Sequence, residues 1–209
     1  VSDFEVVQKE TVGKMYYYKY PIKGEEGEFV HIATTRPETM FGDTAVAVSK
    51  DNEKLKHLIG KECIIPIINR AIPIVADDHA DPEKGTGAVK IPPAHDFNDF
   101  EVGKRHNLPM INILNEDATL NENTPFPGMD TQTARRKTIE KLEELGLMEK
   151  IEDHPMVIPY GDRSGVVIEP LMTDQWFVDA PKLAVKAIEA VENGDMEFVP
   201  KSYEKTYFE

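Results

Sequence analysis

Cys63-Ile-Ile-Pro-Ile-Ile-Asn-Arg-Ala-Ile-Pro-Ile-Val-Ala76 is the stretch whose reading decides the fold. Its two apolar, β-branched halves, Cys63–Ile68 and Ile72–Ala76, are strand-sized, and a proline interrupts each, which marks edge or barrel strands. Gly85-Thr-Gly87 then breaks the chain before another short strand, Ala88-Val-Lys-Ile91. Toward the N-terminus, Thr44-Ala-Val-Ala-Val48 reads as a strand. The polar segment Asp51 to Ile59, closed by Gly60, is of helical size. Further back, Lys14-Met-Tyr-Tyr-Tyr-Lys-Tyr20 and Glu28-Phe-Val-His-Ile-Ala33 alternate around Gly24-Glu-Glu-Gly27, the pattern of a hairpin.

Toward the C-terminus the spacing predicts helices over 97–106, 131–145 and Pro181–Val191. The second puts Ile139, Leu142 and Leu145 on one face and stops at Gly146; the third has Asp179 in position to cap it. Leu147–Ile151, Met156–Tyr160, Val166–Glu169 and Trp176–Val178 read as strands. Short strands, frequent turns and few helices argue for a curled or barrel-like sheet rather than a βαβ layout. The expected fold is one α+β unit, predominantly β, with a few flanking helices.

The chain has 209 residues, 38 acidic against 24 basic, and a net charge of −14. No run approaches the roughly 20 apolar residues of a membrane span, and no basic-then-apolar leader opens the chain. Cys63 stands alone, which excludes a disulfide scaffold and a cysteine zinc site and favours a reducing cytoplasm. The acidity argues at first sight against nucleic acid. Yet residues 108–209 hold 20 acids and 10 bases, whereas residues 31–107 hold 12 and 10 and five of the six histidines. A site for an anion fits that near-neutral part.

Two segments there carry the candidate chemistry. Thr34-Thr-Arg-Pro-Glu-Thr-Met-Phe-Gly42 has a structural reading, in which Thr35 and Glu38 form a capping box with Pro37 in the first turn. Its functional reading is a polar cradle for an ester or phosphate, since capping requires neither the second threonine nor Arg36. In the second segment, Gly85 to Phe100, Gly85 and Gly87 permit close backbone approach to a strand or a ligand. Lys90 is a solvated strand face or a basic ligand contact. Asp96 and Asp99 are N-cap and N3 of a helix, or a carboxylate pair on one face. His95 alone is a hydrogen-bonded structural residue or a ligand contact.

Together these segments are far more specific. Residues 32–43, Ile-Ala-Thr-Thr-Arg-Pro-Glu-Thr-Met-Phe-Gly-Asp, and 85–107, from Gly-Thr-Gly-Ala-Val-Lys through Ala-His-Asp-Phe-Asn-Asp to Arg-His-Asn, closely resemble the editing domain inserted in valyl-tRNA synthetases. The resemblance continues through residues 65–75, 110–116, 163–170 and 173–177, essentially the whole chain. Leucyl and isoleucyl relatives share the Arg-Pro segment and the final Asp. A leucyl sequence more typically has Arg where this chain has Asn98, and an isoleucyl one Gly where it has Asp96. Either remains an alternative, as does a non-catalytic tRNA-binding or spacer module.

The resemblance implies hydrolysis of mischarged threonyl-tRNA(Val), with threonyl-adenylate as a further candidate, and no metal or cofactor. By position, Asp99 matches the carboxylate that holds the substrate's α-ammonium and Asp96 the one that reads the threonine hydroxyl. Thr34 and Arg36 match the segment shaping the pocket, joined by Thr35 and Thr39. Lys90 matches a basic residue near the terminal adenosine, and His95 lies among the binding positions. Lys84 departs from relatives that have an aromatic residue there. Valine and threonine are nearly isosteric, so only a polar partner for the hydroxyl separates them. Water, helped by the vicinal ribose hydroxyl, is the expected nucleophile; an Asp paired with an ammonium has a lowered pKa and is a poor base. No H-I-G-H or K-M-S-K-S signature occurs, so ATP-dependent activation is expected elsewhere. The expected partners are the aminoacylated 3′ end of tRNA(Val) and the rest of a synthetase chain. Residues 1–200 would form the editing domain and 201–209 the return toward the catalytic domain, without membrane contact.

Overall fold

The aromatic alternation does form a hairpin. In the computed structural model, which describes residues 5–174 and 176–208, β1 (Val6–Pro21) pairs antiparallel with β2 (Phe29–Thr34), from Tyr16 opposite Thr34 to Pro21 opposite Phe29. Tyr18, Tyr20, Val30 and Ile32 share the inner face and are fully buried. On its other side β1 pairs with β7 (Met148–Gly161), giving a sheet of order β2-β1-β7. The strands expected at 147–151 and 156–160 are thus one edge strand, where Pro155 and Pro159 are tolerated.

The second sheet has the order β4-β5-β3-β6, from β3 (Ala45–Val48), β4 (Glu62–Ile65), β5 (Arg70–Ala76) and β6 (Ala88–Ile91). β3 and β5 run parallel, joined through β4 rather than through a helix. β5 is an interior strand in that order, a correction to the edge reading. Its proline survives because Arg70–Pro73 pair only with β4 and Ile74–Ala76 only with β3. A bridge from Ile22 to Cys63, and Lys23 N donating to Glu62 O at 2.9 Å, turn the first sheet into the second. The sheet curls without closing.

α1 (Phe97–Arg105) and α2 (Thr131–Glu144) fall where the spacing puts them. Gly103 lets α1 lie on Pro93, whose Cβ would be 2.8 Å from a Cβ at that position. The buried face of α2 is Ala134, Thr138 and Leu142, whereas Leu145 is exposed. The helix is turned from its expected face, and Arg135 reaches Glu38. Residues 51–59 form turns and a short 3-10 segment, Lys56–Leu58, instead of a helix. There the Asn52 side chain accepts from the amides of Lys54 and Leu55, a local alternative to helical bonding. Of the strand expected at 166–169, only a bridge from Val167 to Tyr160 exists.

The chain divides into two compact units, one ending at Met172 and one beginning at Thr173. The second contains α3 (Ala180–Glu192) and α4 (Tyr203–Phe208). Trp176 to Val178 are exposed and form no strand. Asp179 occupies the N-cap of α3 without a capping bond and pairs with Lys182 at 2.8 Å.

Candidate functional site

Leaving β2, the chain enters a short 3-10 turn, Pro37–Gly42, with Pro37 in the first turn as expected. The capping box does not form. Arg36 is the N-cap residue and no side chain caps the turn. Glu38 is instead buried, and Arg135 of α2 grips it in a two-pronged ion pair, Nε to Oε2 at 2.8 Å and Nη2 to Oε1 at 2.7 Å. Thr34 Oγ1 accepts from the Arg36 amide at 3.1 Å, and Thr39 Oγ1 donates to the Arg36 carbonyl at 2.8 Å. Thr34 and Thr35 are half-buried. The Arg36 guanidinium ties this turn to two distant segments, donating to the His95 carbonyl at 3.1 Å and pairing with Glu169.

Beneath the turn lies a buried polar floor. Lys90 Nζ donates to Thr39 Oγ1 at 2.6 Å and to Asp43 Oδ1 at 3.1 Å. Tyr20 donates its hydroxyl to Asp43 Oδ2 at 2.7 Å. Arg70 holds the carbonyls of Phe41 and Asp43 at 2.7 and 2.9 Å. Burial pushes the Asp43 carboxyl up, and Lys90 and Tyr20 pull it back. Lys90 is therefore not a solvated strand face. Its ammonium is committed inside the protein.

β6 leads through Pro92 and Pro93 to the start of α1. Asp96 is its N-cap, with Oδ1 accepting from the amides of Asn98 at 2.8 Å and Asp99 at 3.2 Å. Asp99, at N3, is buried while Asp96 is exposed. Burial first, then the nearby Asp96 charge, raise Asp99 to about 7, against the pull of Lys90. Without an ammonium present the shift thus runs opposite to the one a bound substrate would impose. His95 is fully buried and its Nε2 accepts from the Ile113 amide at 3.0 Å, so the proton of the neutral ring is on Nδ1. Burial, reinforced by Arg36 and Lys90, lowers it to about 4.

The structure therefore joins Arg36 to His95, Thr39 to Lys90, and Asp96 to Asp99. It places Lys84 apart, on an exposed turn with Asp81 at 3.1 Å. Gly87, at φ 75°, approaches Asn52 closely, so its expected close contact is with a loop of the protein itself. Asp43, Arg135, Glu169 and His79 join the site from outside the candidate residues, with His79 Nε2 3.2 Å from Asp99 Oδ1. The one visible signal was a histidine in an acidic loop directly after a strand, Asp77-Asp78-His79. Burial pushes the Cys63 thiol up to about 12, which removes it as a nucleophile. Among the described residues no three His, Cys, Asp or Glu side chains gather as a metal site needs, and no helix is long and apolar enough to cross a membrane.

A curled mixed sheet carries a carboxylate pair at a helix start, next to His95, whose carbonyl is held by Arg36 of the Thr-Arg-Pro turn. The family model described as leucyl-tRNA synthetase, editing domain, matches residues 50–154, and the chain belongs to that family of aminoacyl-tRNA synthetase editing domains. The whole-chain similarity is to valine–tRNA ligases. It is 51% identical to that of Nitrobacter winogradskyi, over all of this chain and 24% of the relative, and 53% identical to that of Francisella tularensis, over all of this chain and 23% of the relative. The chain spans about a quarter of the length of these curated relatives. Among solved structures, the ternary complex of Agrobacterium radiobacter K84 agnB2 LeuRS with tRNA and LeuAMS matches with a TM-score of 0.53 at 18% identity, over 71% of this chain and 20% of that one. At that identity the match speaks for the fold alone.

Proposed function

We propose that this domain hydrolyses the ester of threonine mischarged onto tRNA(Val), as the editing part of a cytoplasmic valine–tRNA ligase. The observation that carries the reading is the Asp96–Asp99 pair at the start of α1, one exposed and one buried. A buried carboxyl raised to about 7 is favoured as an anion once a cation is brought to it, which the α-ammonium of an aminoacyl ester does. The exposed Asp96 spends one oxygen on capping and keeps the other for a hydroxyl. Valine offers that oxygen nothing, so the pair selects threonine although the two side chains have nearly the same size.

The ester would lie against the Thr34–Thr39 turn, with Thr34, Thr35 and Arg36 shaping the wall and Lys90, Thr39 and His95 supporting it from within. Water attacks the carbonyl, positioned in part by the vicinal ribose hydroxyl. Partners in this reading are the aminoacylated 3′ end of tRNA(Val) and the remainder of the synthetase chain, toward which 201–209 lead. Threonyl-adenylate is a second substrate of the same pocket.

Mixing the 209-residue chain with threonyl-tRNA(Val) and valyl-tRNA(Val) and following deacylation tests the reading. Threonyl ester is expected to be lost preferentially. Binding of both without hydrolysis of either would instead identify a non-catalytic tRNA-binding module. A threonyl-tRNA whose terminal adenosine lacks the vicinal hydroxyl should turn over more slowly.

A further inference from the structure

His79 lies in the loop after β5. Its amide donates to Asp77 Oδ1 at 2.9 Å, a turn that fixes the residue's own backbone. Its ring reaches α1, with Nε2 3.2 Å from Asp99 Oδ1. His79 also lines an open cleft of about 420 Å³ with Lys50, Ala76, Asp77, Asp78 and Arg105. Asp77 does not compete for the ring. Burial works to raise Asp77, but hydrogen bonds from Arg105, the His79 amide and His106 outweigh it and hold the carboxyl at about 2. The His79 ring nitrogen is thus within contact of a carboxylate that otherwise faces the like charge of Asp96.

We propose that His79 is a positioning residue for Asp99, pairing with Oδ1 and leaving Oδ2 to the substrate's ammonium. The proposal rests on the deacylase reading above, but the pair itself can be tested without substrate. The charged groups around Asp99 are Asp96 from its own helix start, Lys90 from β6 and Asp43 from the turn before β3. Those around His79 are Lys50 after β3, Asp77 and Asp78 of its own loop, and Arg105 of α1. None of them changes in the variants below.

The experiment is a carbon-13 titration of the Asp99 carboxyl in the 209-residue chain, assigned by the signal lost in Asp99→Asn. His79→Phe removes the partner and should move the Asp99 midpoint up; His79→Lys fixes a cation there and should move it down, each by about half to one pH unit. The acid limb of threonyl-tRNA deacylation should follow in the same two directions, with KM changing more than kcat. A midpoint that is the same in both variants overturns the proposal, as does a shift of the same sign in both, which is what a purely structural role would produce. Opposite shifts with a wild-type chain that cannot deacylate threonyl-tRNA support the pairing and sink the deacylase reading instead.

Discussion

Asp43 and Asp99 are both buried aspartates, 0% and 7% exposed, and they differ in what surrounds them. Asp43 accepts from Lys90 and from Tyr20, and Arg70 holds its own carbonyl. Asp99 has His79 at 3.2 Å and a like charge, Asp96, three residues before it. Burial raises both carboxyls, but at Asp43 the partners pull back, whereas Asp99 is left at about 7. Burial alone therefore does not mark a site. What separates scaffold from site is whether the desolvated charge has been matched from within the fold.

The largest expected effects come from removing each charge in turn. Asp43→Asn strands the Lys90 ammonium in the interior and should lower unfolding free energy by about 3 kcal/mol in urea titration. Asp99→Asn removes a carboxyl whose charged form burial and Asp96 disfavour, so stability should stay within about 1 kcal/mol of wild type or rise. Deacylation of threonyl-tRNA should fall at least about 100-fold, because the ammonium has lost its anchor. Equal destabilisation by the two variants would end the distinction drawn above.

A smaller effect appears in the pH dependence of stability. Asp99 titrates near 7 when folded and near 4 when unfolded, so between those values the folded chain keeps a proton that the unfolded chain has lost. Stability contributed by the protonated group is present below pH about 4 and is lost as pH rises toward 7, with a ceiling of about 4 kcal/mol. His95 acts with opposite sign. Its folded value of about 4 lies below the ordinary 6.5, so its contribution grows as pH rises through that interval. Wild type should therefore show a shallow profile and Asp99→Asn a rising one, as measured by urea unfolding at about pH 4.5 and about pH 7.5. A constant difference between the two would show that Asp99 does not change protonation between those pH values.

The same contrast explains which parts of the molecule the sequence makes legible. The hairpin, β3, β6, α1 and α2 follow from local periodicity and turn residues, which act within a few positions of the chain. Asp96 as N-cap is equally local. What could not be read are bonds across long separations: Glu38 to Arg135, Lys90 to Asp43, Arg36 to Glu169. Glu38 fits a capping pattern on local grounds, yet Arg135 of a helix almost a hundred residues later grips it. Likewise Asn52 defeats a helix by two side-chain bonds that composition does not reveal. The carboxylate pair was visible through its i, i+3 spacing and family resemblance, whereas the inequality of its members required burial to be known.

That inequality makes Asp96 the finest test. Its Oδ1 caps α1, so Asp96→Ala should cost about 1 kcal/mol, whereas Asp96→Ser keeps a capping oxygen and should cost little. Both variants remove the like charge and should let Asp99 fall from about 7. In both, the preference for threonyl over valyl ester should collapse, while an anchored ammonium still permits slow hydrolysis of either. Capping and reading are then separable: stability distinguishes the alanine from the serine variant, and selectivity does not. If both esters lose hydrolysis in equal proportion, Asp96 is only a cap, and discrimination of the hydroxyl must come from the Thr34–Thr39 turn instead.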